Sequence, residues 1–200
     1  MDFIAHRINT LAQLEKLPKE YGVEIDLRPY GDRLVLEHDP FKDGEDFEEW
    51  FHHYEHGRII LNIKSEGIEE RVLNILSKKN FENYFFLDCS FPAIRKIVKT
   101  GNPKVALRFS EFEGLDTIQM MSSQIDWVWV DCFSHLPLNQ DNYSQLTKMN
   151  LKLCLVSPEL QGRDQDIENF AAIINEQGFK FDAICTKEHN ISRWKNLLHI

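Results

Sequence analysis

Long apolar runs are missing from these 200 residues, and so is a basic leader: the chain enters an alternating segment at once, Met1-Asp2-Phe3-Ile4-Ala5. A membrane-spanning helix needs about 20 consecutive apolar residues and a secretory leader needs a charged start, so neither is expected and the cytoplasm is the default location. Cysteine is sparse. Cys89, Cys132, Cys154 and Cys185 form no Cys-x-x-Cys pair and sit in apolar, strand-like surroundings, which predicts buried free thiols in place of disulfides or zinc ligands. Positive charge is short: 23 Lys and Arg against 32 Asp and Glu leave a net charge of -9. That excludes a broad electrostatic footing on nucleic acid or anionic membranes, and it means that a phosphate ligand must be drawn in by a local cluster of cations. The glycine-rich phosphate turn of dinucleotide folds is absent after the first strand. No internal repeat or low-complexity tract is present either.

What is there is one domain's worth of chain, residues 1–200, organised around Gly22 to Asp39 (GVEIDLRPYGDRLVLEHD). Two apolar-polar alternations are joined by the turn-rich Pro29-Tyr30-Gly31-Asp32, which predicts a hairpin. Strand side chains change face at each residue, so Glu24, Asp26 and Arg28 share a face that Val23, Ile25 and Leu27 do not. Two carboxylates therefore converge. The return segment brings Glu37, His38 and Asp39 near them, so the hairpin offers hard oxygens for a cation beside a titratable imidazole.

Four separated elements in order resemble the glycerophosphodiester phosphodiesterase family: Ile4-Ala5-His6-Arg7, Glu24-Ile25-Asp26, a Gly-Asp turn, and Leu34 to Asp39 ending in His-Asp. The resemblance implies His6 and His38 as the acid/base pair, Arg7 and Lys64 as phosphate ligands, and a divalent cation (magnesium, calcium or manganese) on Glu24, Asp26 and the residue at 62. Here the chain departs from the family. The family has Glu-x-Lys where this sequence reads Asn62-Ile63-Lys64, so a neutral amide stands in for the third acid. The Glu-Asn-Thr signature after the first strand is reduced to Asn9-Thr10, and Ser65-Glu66-Gly67 runs into a helix where larger relatives carry an insertion.

Beyond Lys64 strand-like and helical stretches alternate. Tyr84–Asp88, Val105–Phe109, Trp127–Asp131, Lys152–Val156 and Asp182–Thr186 read as strands, and 68–78, 92–99, 117–123, 142–150 and 166–177 as helices. With the earlier strands this makes about eight, the α/β layout of a (β/α)8 TIM barrel at the short end of that fold's range; a doubly wound open sheet alternates similarly, and the resemblance implies the barrel of the PLC-like phosphodiesterase type. In such a barrel the site lies at the strand carboxyl ends, where His6, Glu24, Asp26, Asn62, Lys64, Asp88, Arg108 and Asp131 fall; Asp88, Arg108 and Asp131 read as supporting groups that pair with one another, and Arg28 and Asp39 as further supporting groups. The aromatic-rich segment 43–56 reads as an amphipathic helix, and its His52, His53 and His56 as structural or solvated side chains.

The expected activity is metal-dependent hydrolysis of a small-molecule glycerophosphodiester to glycerol 3-phosphate and an alcohol. Two rivals stand beside it: a phosphate-binding pseudoenzyme whose turnover ended with the third acid, and an imine-forming lyase using Lys64 or Lys187.

Overall fold

The computed structural model describes residues 1–200. In chain order the first half carries β1 (Asp2–Ala5), α1 (Leu11–Lys16), β2 (Gly22–Tyr30), β3 (Arg33–Leu36), β4 (Glu45–Asp46), α2 (Phe47–His52), β5 (Ile59–Ile63), α3 (Glu69–Lys78), β6 (Tyr84–Leu87) and α4 (Phe91–Lys99). The second half carries β7 (Ala106–Phe109), α5 (Asp116–Met121), β8 (Trp127–Val130), α6 (Gln140–Lys148), β9 (Lys152–Val156), α7 (Ile167–Gln177), β10 (Ala183–Thr186) and α8 (Ile191–Leu198), with short 3-10 turns at Pro158–Gln161, Asp164–Asp166 and Glu188–Asn190. The chain divides into two compact units, one of residues 6–105 and one of residues 1–5 with 106–200.

In the unit of residues 6–105, β2 is the central strand. It pairs with β5 in parallel, with Asp26 opposite Asn62, and with β3 antiparallel, with Leu27 opposite Leu36. β6 continues the parallel run beside β5. From Gly22 to Leu27 every residue of β2 is buried, as are all five of β5, which is what a strand covered on both faces requires. The hairpin turn is tighter than the tetrapeptide suggested: β2 runs on through Pro29 and Tyr30, Tyr30 pairs with Arg33, and only Gly31 and Asp32 turn, with Gly31 at φ +57. A two-residue turn with positive φ matches the twist of the flanking strands, and glycine takes it without strain.

The expected helix over 43–56 is a single short one, Phe47–His52, started by the Asp46 side chain accepting from the Glu49 N–H. Its aromatic spacing reported burial correctly, since Phe47, Trp50 and Phe51 are all in the core. The preceding Glu45 and Asp46, however, spend their backbone on β3 as the two-residue β4. Competition between a ladder and a helix turn was decided by the neighbouring strand.

In the other unit β1, β10, β9, β8 and β7 pair in that order, all parallel. The terminal helix α8, which the alternation did not announce, packs a fully buried Trp194 whose indole N–H donates to Ser157 Oγ at 2.7 Å. That oxygen belongs to a closed network: buried Glu159 accepts from Ser157 Oγ, Thr186 Oγ1 and, at 3.0 Å, the Lys187 N–H. The cysteines are free thiols as expected, three of them buried and Cys89 half-buried. Burial pushes the Cys132 thiol up to about 12, with Asp131 next to it adding to the rise, so it is inert at neutral pH. No helix is long and apolar enough to cross a membrane.

Candidate active site

The acids of β2 are at the centre. Glu24 and Asp26 are 1% and 0% exposed, and each is held by residues that follow β1 or belong to β5. Glu24 Oε1 accepts from the Asn62 amide at 2.7 Å and Oε2 from the Arg7 backbone N–H at 2.9 Å, with His6 Nε2 3.7 Å from the same oxygen. Arg7 is in the left-handed region at φ +58, a conformation that costs an L-residue about 1–2 kcal/mol and that here aims its N–H at the acid. Asp26 Oδ2 accepts from the Asn9 amide at 2.9 Å and lies 3.6 Å from Arg7 Nε; its Oδ1 has no hydrogen bond but faces the Lys64 ammonium at 3.5 Å. Lys64 in turn lies 3.5 Å from Asp88, another left-handed residue at φ +56.

Removing two neighbouring carboxylates from water raises the affinity of one of them for a proton. Burial, then the charge of Asp26, push Glu24 from 4.5 up to about 7, against the opposing pull of the Asn62 and Arg7 hydrogen bonds and of Lys64. A raised carboxyl binds its proton more tightly folded than unfolded, so stability is greatest below pH 4.5 as far as this group is concerned and falls as pH rises towards about 7. The loss is expected to be about 3 kcal/mol between pH 4.5 and pH 8, from the shift to about 7. Urea unfolding across that range should show the falling slope in the native chain and a flatter one in Glu24→Gln; equal slopes in the two proteins would refute it.

The histidine after β3 is placed by the backbone. The Glu37 N–H donates to Asp26 O at 3.1 Å, and Arg28 grips the next carbonyl: its Nε donates to His38 O at 2.9 Å while Nη1 donates to Lys64 O at 2.9 Å and Ser65 Oγ at 3.3 Å. One guanidinium thus ties the main chain at both His38 and Lys64. The His38 ring has Nδ1 2.9 Å from Asp39 Oδ1. Hydrogen bonds from Lys42 and then His38 hold the Asp39 carboxyl down at about 2, so Asp39 is an acceptor, Nδ1 carries the proton, and Nε2 is the nitrogen that can exchange one.

Of the expected site residues, His6, Arg7, Glu24, Asp26, Asn62, Lys64 and Asp88 form one connected chain of contacts, with Arg28 binding the His38 and Lys64 backbones. Arg108 and Asp131 make their own pair in the other unit, Nη1 to Oδ2 at 2.6 Å, with Gln161 and the Cys132 N–H completing the Asp131 shell. Asn9 was not expected among them. Its Nδ2 donates to Asp26 Oδ2 and its Oδ1 accepts from the Asp26 N–H at 3.0 Å, so it clasps that residue by side chain and backbone together. Its survival in the shortened Asn9-Thr10 remnant was the one signal available. His56 is structural, its Nε2 2.9 Å from Leu17 O.

The solved structure of a glycerophosphodiester phosphodiesterase from Agrobacterium tumefaciens str. C58 superposes on 98% of this chain and 99% of its own, with a TM-score of 0.66. The two share a fold. The α/β barrel type expected from the alternation is therefore the fold of this chain, across almost its full length. Identity between the two is 12%, at which the likeness speaks for the fold alone. No family model matches the sequence, and no curated protein does.

The cation implied at Glu24, Asp26 and Asn62 can be tested against the donors present. Calcium takes six to eight oxygens, and magnesium a near-ideal octahedron with carboxylates among its ligands. Here no three carboxylate, imidazole or thiol groups converge on a common point. The two oxygens without a hydrogen bond are Asp26 Oδ1, beside the Lys64 ammonium, and Asn62 Oδ1, a neutral amide. As they stand, these donors do not fit a dication.

Proposed function

We propose that the chain is a phosphodiesterase of the glycerophosphodiester type, acting on a small molecule through His6 and His38. The observation that carries this reading is the pairing of two cations, Arg7 and Lys64, with an imidazole, His6, around the buried Glu24–Asp26 couple. A structural ion-pair network has no need of an imidazole at its edge, whereas displacement at phosphorus needs a group that can move a proton.

The side chains can divide the work as follows. Arg7, about half exposed with its Nε 3.6 Å from Asp26, can offer its fork to phosphoryl oxygens, and Lys64 a point charge. Displacement at phosphorus forms one P–O bond and breaks another; the attacking hydroxyl gives its proton to one imidazole, and the other imidazole protonates the leaving alkoxide. Each ring has a carboxylate to orient it, Glu24 3.7 Å from His6 Nε2 and Asp39 2.9 Å from His38 Nδ1. The attacking oxygen is the substrate's own glycerol hydroxyl on this reading, and water then opens the cyclic phosphate. An imine-forming role for Lys64 has less support, because its side-chain nitrogen faces two carboxylates, Asp26 and Asp88, at 3.5 Å each, and two strand carboxylates have no place in that chemistry.

Purified protein is expected to release glycerol 3-phosphate from glycerophosphodiesters with choline, ethanolamine, inositol or glycerol as the leaving group. Absence of release from all four, with and without added divalent cations, would overturn the reading. One observation favours the non-catalytic alternative, a phosphate-binding protein: the Asn62 amide satisfies Glu24 in the ground state, leaving that acid little to do. Binding of inorganic phosphate without any hydrolysis would decide for it.

A further inference from the structure

We propose that this phosphate site works without a divalent cation, the Lys64 ammonium and the Asn62 amide giving Asp26 and Glu24 the positive charge and hydrogen bonds that a dication would otherwise supply. The phosphate ligand rests on the function proposed above; the statement about cations does not.

The first argument is an account of the four buried carboxylate oxygens. Glu24 Oε1 has the Asn62 amide at 2.7 Å and Oε2 the Arg7 N–H at 2.9 Å; Asp26 Oδ2 has the Asn9 amide at 2.9 Å and Oδ1 the Lys64 ammonium at 3.5 Å. Each oxygen already faces a nitrogen. Buried acids are tolerated when their charge is matched and their lone pairs are used; here three of the four oxygens accept hydrogen bonds from within the chain and the fourth, Asp26 Oδ1, is matched by the Lys64 charge.

The second argument concerns residue 62 itself. A carboxylate at this position could not donate to Glu24 Oε1; it would add a third negative charge, and only a bound cation could hold the three together. An amide donates that hydrogen bond directly. The amide and the cation are thus alternative answers to one electrostatic problem, and a chain that has the amide has removed both the need for the cation and one of its charged ligands. Asn62 Oδ1 is what remains over, buried and without a hydrogen bond. One neutral acceptor is far short of a coordination shell.

Lys64 completes the case. Shared between Asp26 and Asp88 at 3.5 Å from each, its ammonium lies where it would repel a dication bound to Asp26 Oδ1. The same position lets it meet a phosphate together with Arg7, so charge that develops at phosphorus is answered by two side chains.

The test is thermal unfolding and calorimetric titration of the full chain with magnesium, calcium, manganese and EDTA, and separately with inorganic phosphate. Native protein is expected to keep its Tm in every cation and in EDTA, and to be stabilised by phosphate in EDTA. Asn62→Glu is expected to be less stable without metal and to gain about 5 °C or more in saturating cation, as a ligand present at about a hundred times its Kd gives. Should that variant not fold, Lys64→Met supplies the same reading, because the uncovered Asp26 should then take up a cation and raise Tm. Cation binding by the native chain at micromolar concentrations, or phosphate stabilisation that disappears in EDTA, would overturn the proposal. Neither readout involves turnover, so a failed hydrolysis assay leaves this test standing.

Discussion

His6→Ala is expected to lower kcat for glycerophosphodiester hydrolysis by about 10²–10⁴-fold, the range in which positioned proton transfer contributes. The ring lies 3.7 Å from Glu24 Oε2, and the adjacent Arg7 N–H is bound to that same oxygen, so the imidazole and its carboxylate are held by one short piece of backbone. Truncation removes the ring and leaves the phosphate contacts of Arg7 and Lys64 in place. KM should therefore move little while kcat collapses, the signature of a group that acts in the transition state. The Arg7 left-handed turn does not depend on the His6 side chain, so folding should survive, and unchanged Tm would confirm that the loss is chemical. A variant that keeps kcat within about threefold of the native value would exclude His6 from proton transfer, since even a weak acid/base contribution is larger than that.

The second large effect is on stability. Asp131, at the end of β8, is 2% exposed and satisfied on both oxygens, Oδ1 by the Cys132 N–H at 2.8 Å and the Gln161 amide at 2.9 Å, Oδ2 by Arg108 at 2.6 Å. Cutting it to alanine strands a buried N–H, frees an amide and deprives the guanidinium of its short ion pair. Removing one partner of a fully buried pair costs about 3–5 kcal/mol; Arg108 is 24% exposed and keeps Glu113 3.7 Å away, so the loss here is expected at the low end, about 3 kcal/mol. For a domain of this size that is a fall of about 10 °C in Tm, and Asp131→Asn should recover part of it through the acceptor that remains. Differential scanning calorimetry reads both; a drop of less than about 2 °C in the alanine variant would show that the pair carries no net stability.

Much of this was legible in the chain, and the reasons are specific. Val23 to Leu27 alternate side chains by simple strand geometry, so the convergence of Glu24 and Asp26 needed no tertiary information. The apolar run of β5 marked a strand buried on both faces and fixed Asn62 and Lys64 on one of them. What stayed hidden depends on partners far along the chain. Nothing in Asn9 announces that both ends of its amide will close on Asp26, and nothing local to residue 62 says whether its oxygen or its nitrogen will face Glu24. In the structure the nitrogen faces Glu24 and the oxygen is left without a hydrogen bond. Helix α8 escaped because its eight residues present only Ile191 and Trp194 as buried positions, too few to show a period. The helix expected over 43–56 is shorter because β3 claimed Glu45 and Asp46.

Arg28 touches main-chain oxygens at His38 and Lys64 and no side chain of either. Its grip is consequently indifferent to what is mounted at those two places. Imidazole and ammonium can be exchanged for other groups without unfastening that tie, so evolution, or an engineer, can rewrite the chemistry here while the backbone that presents it stays where it is.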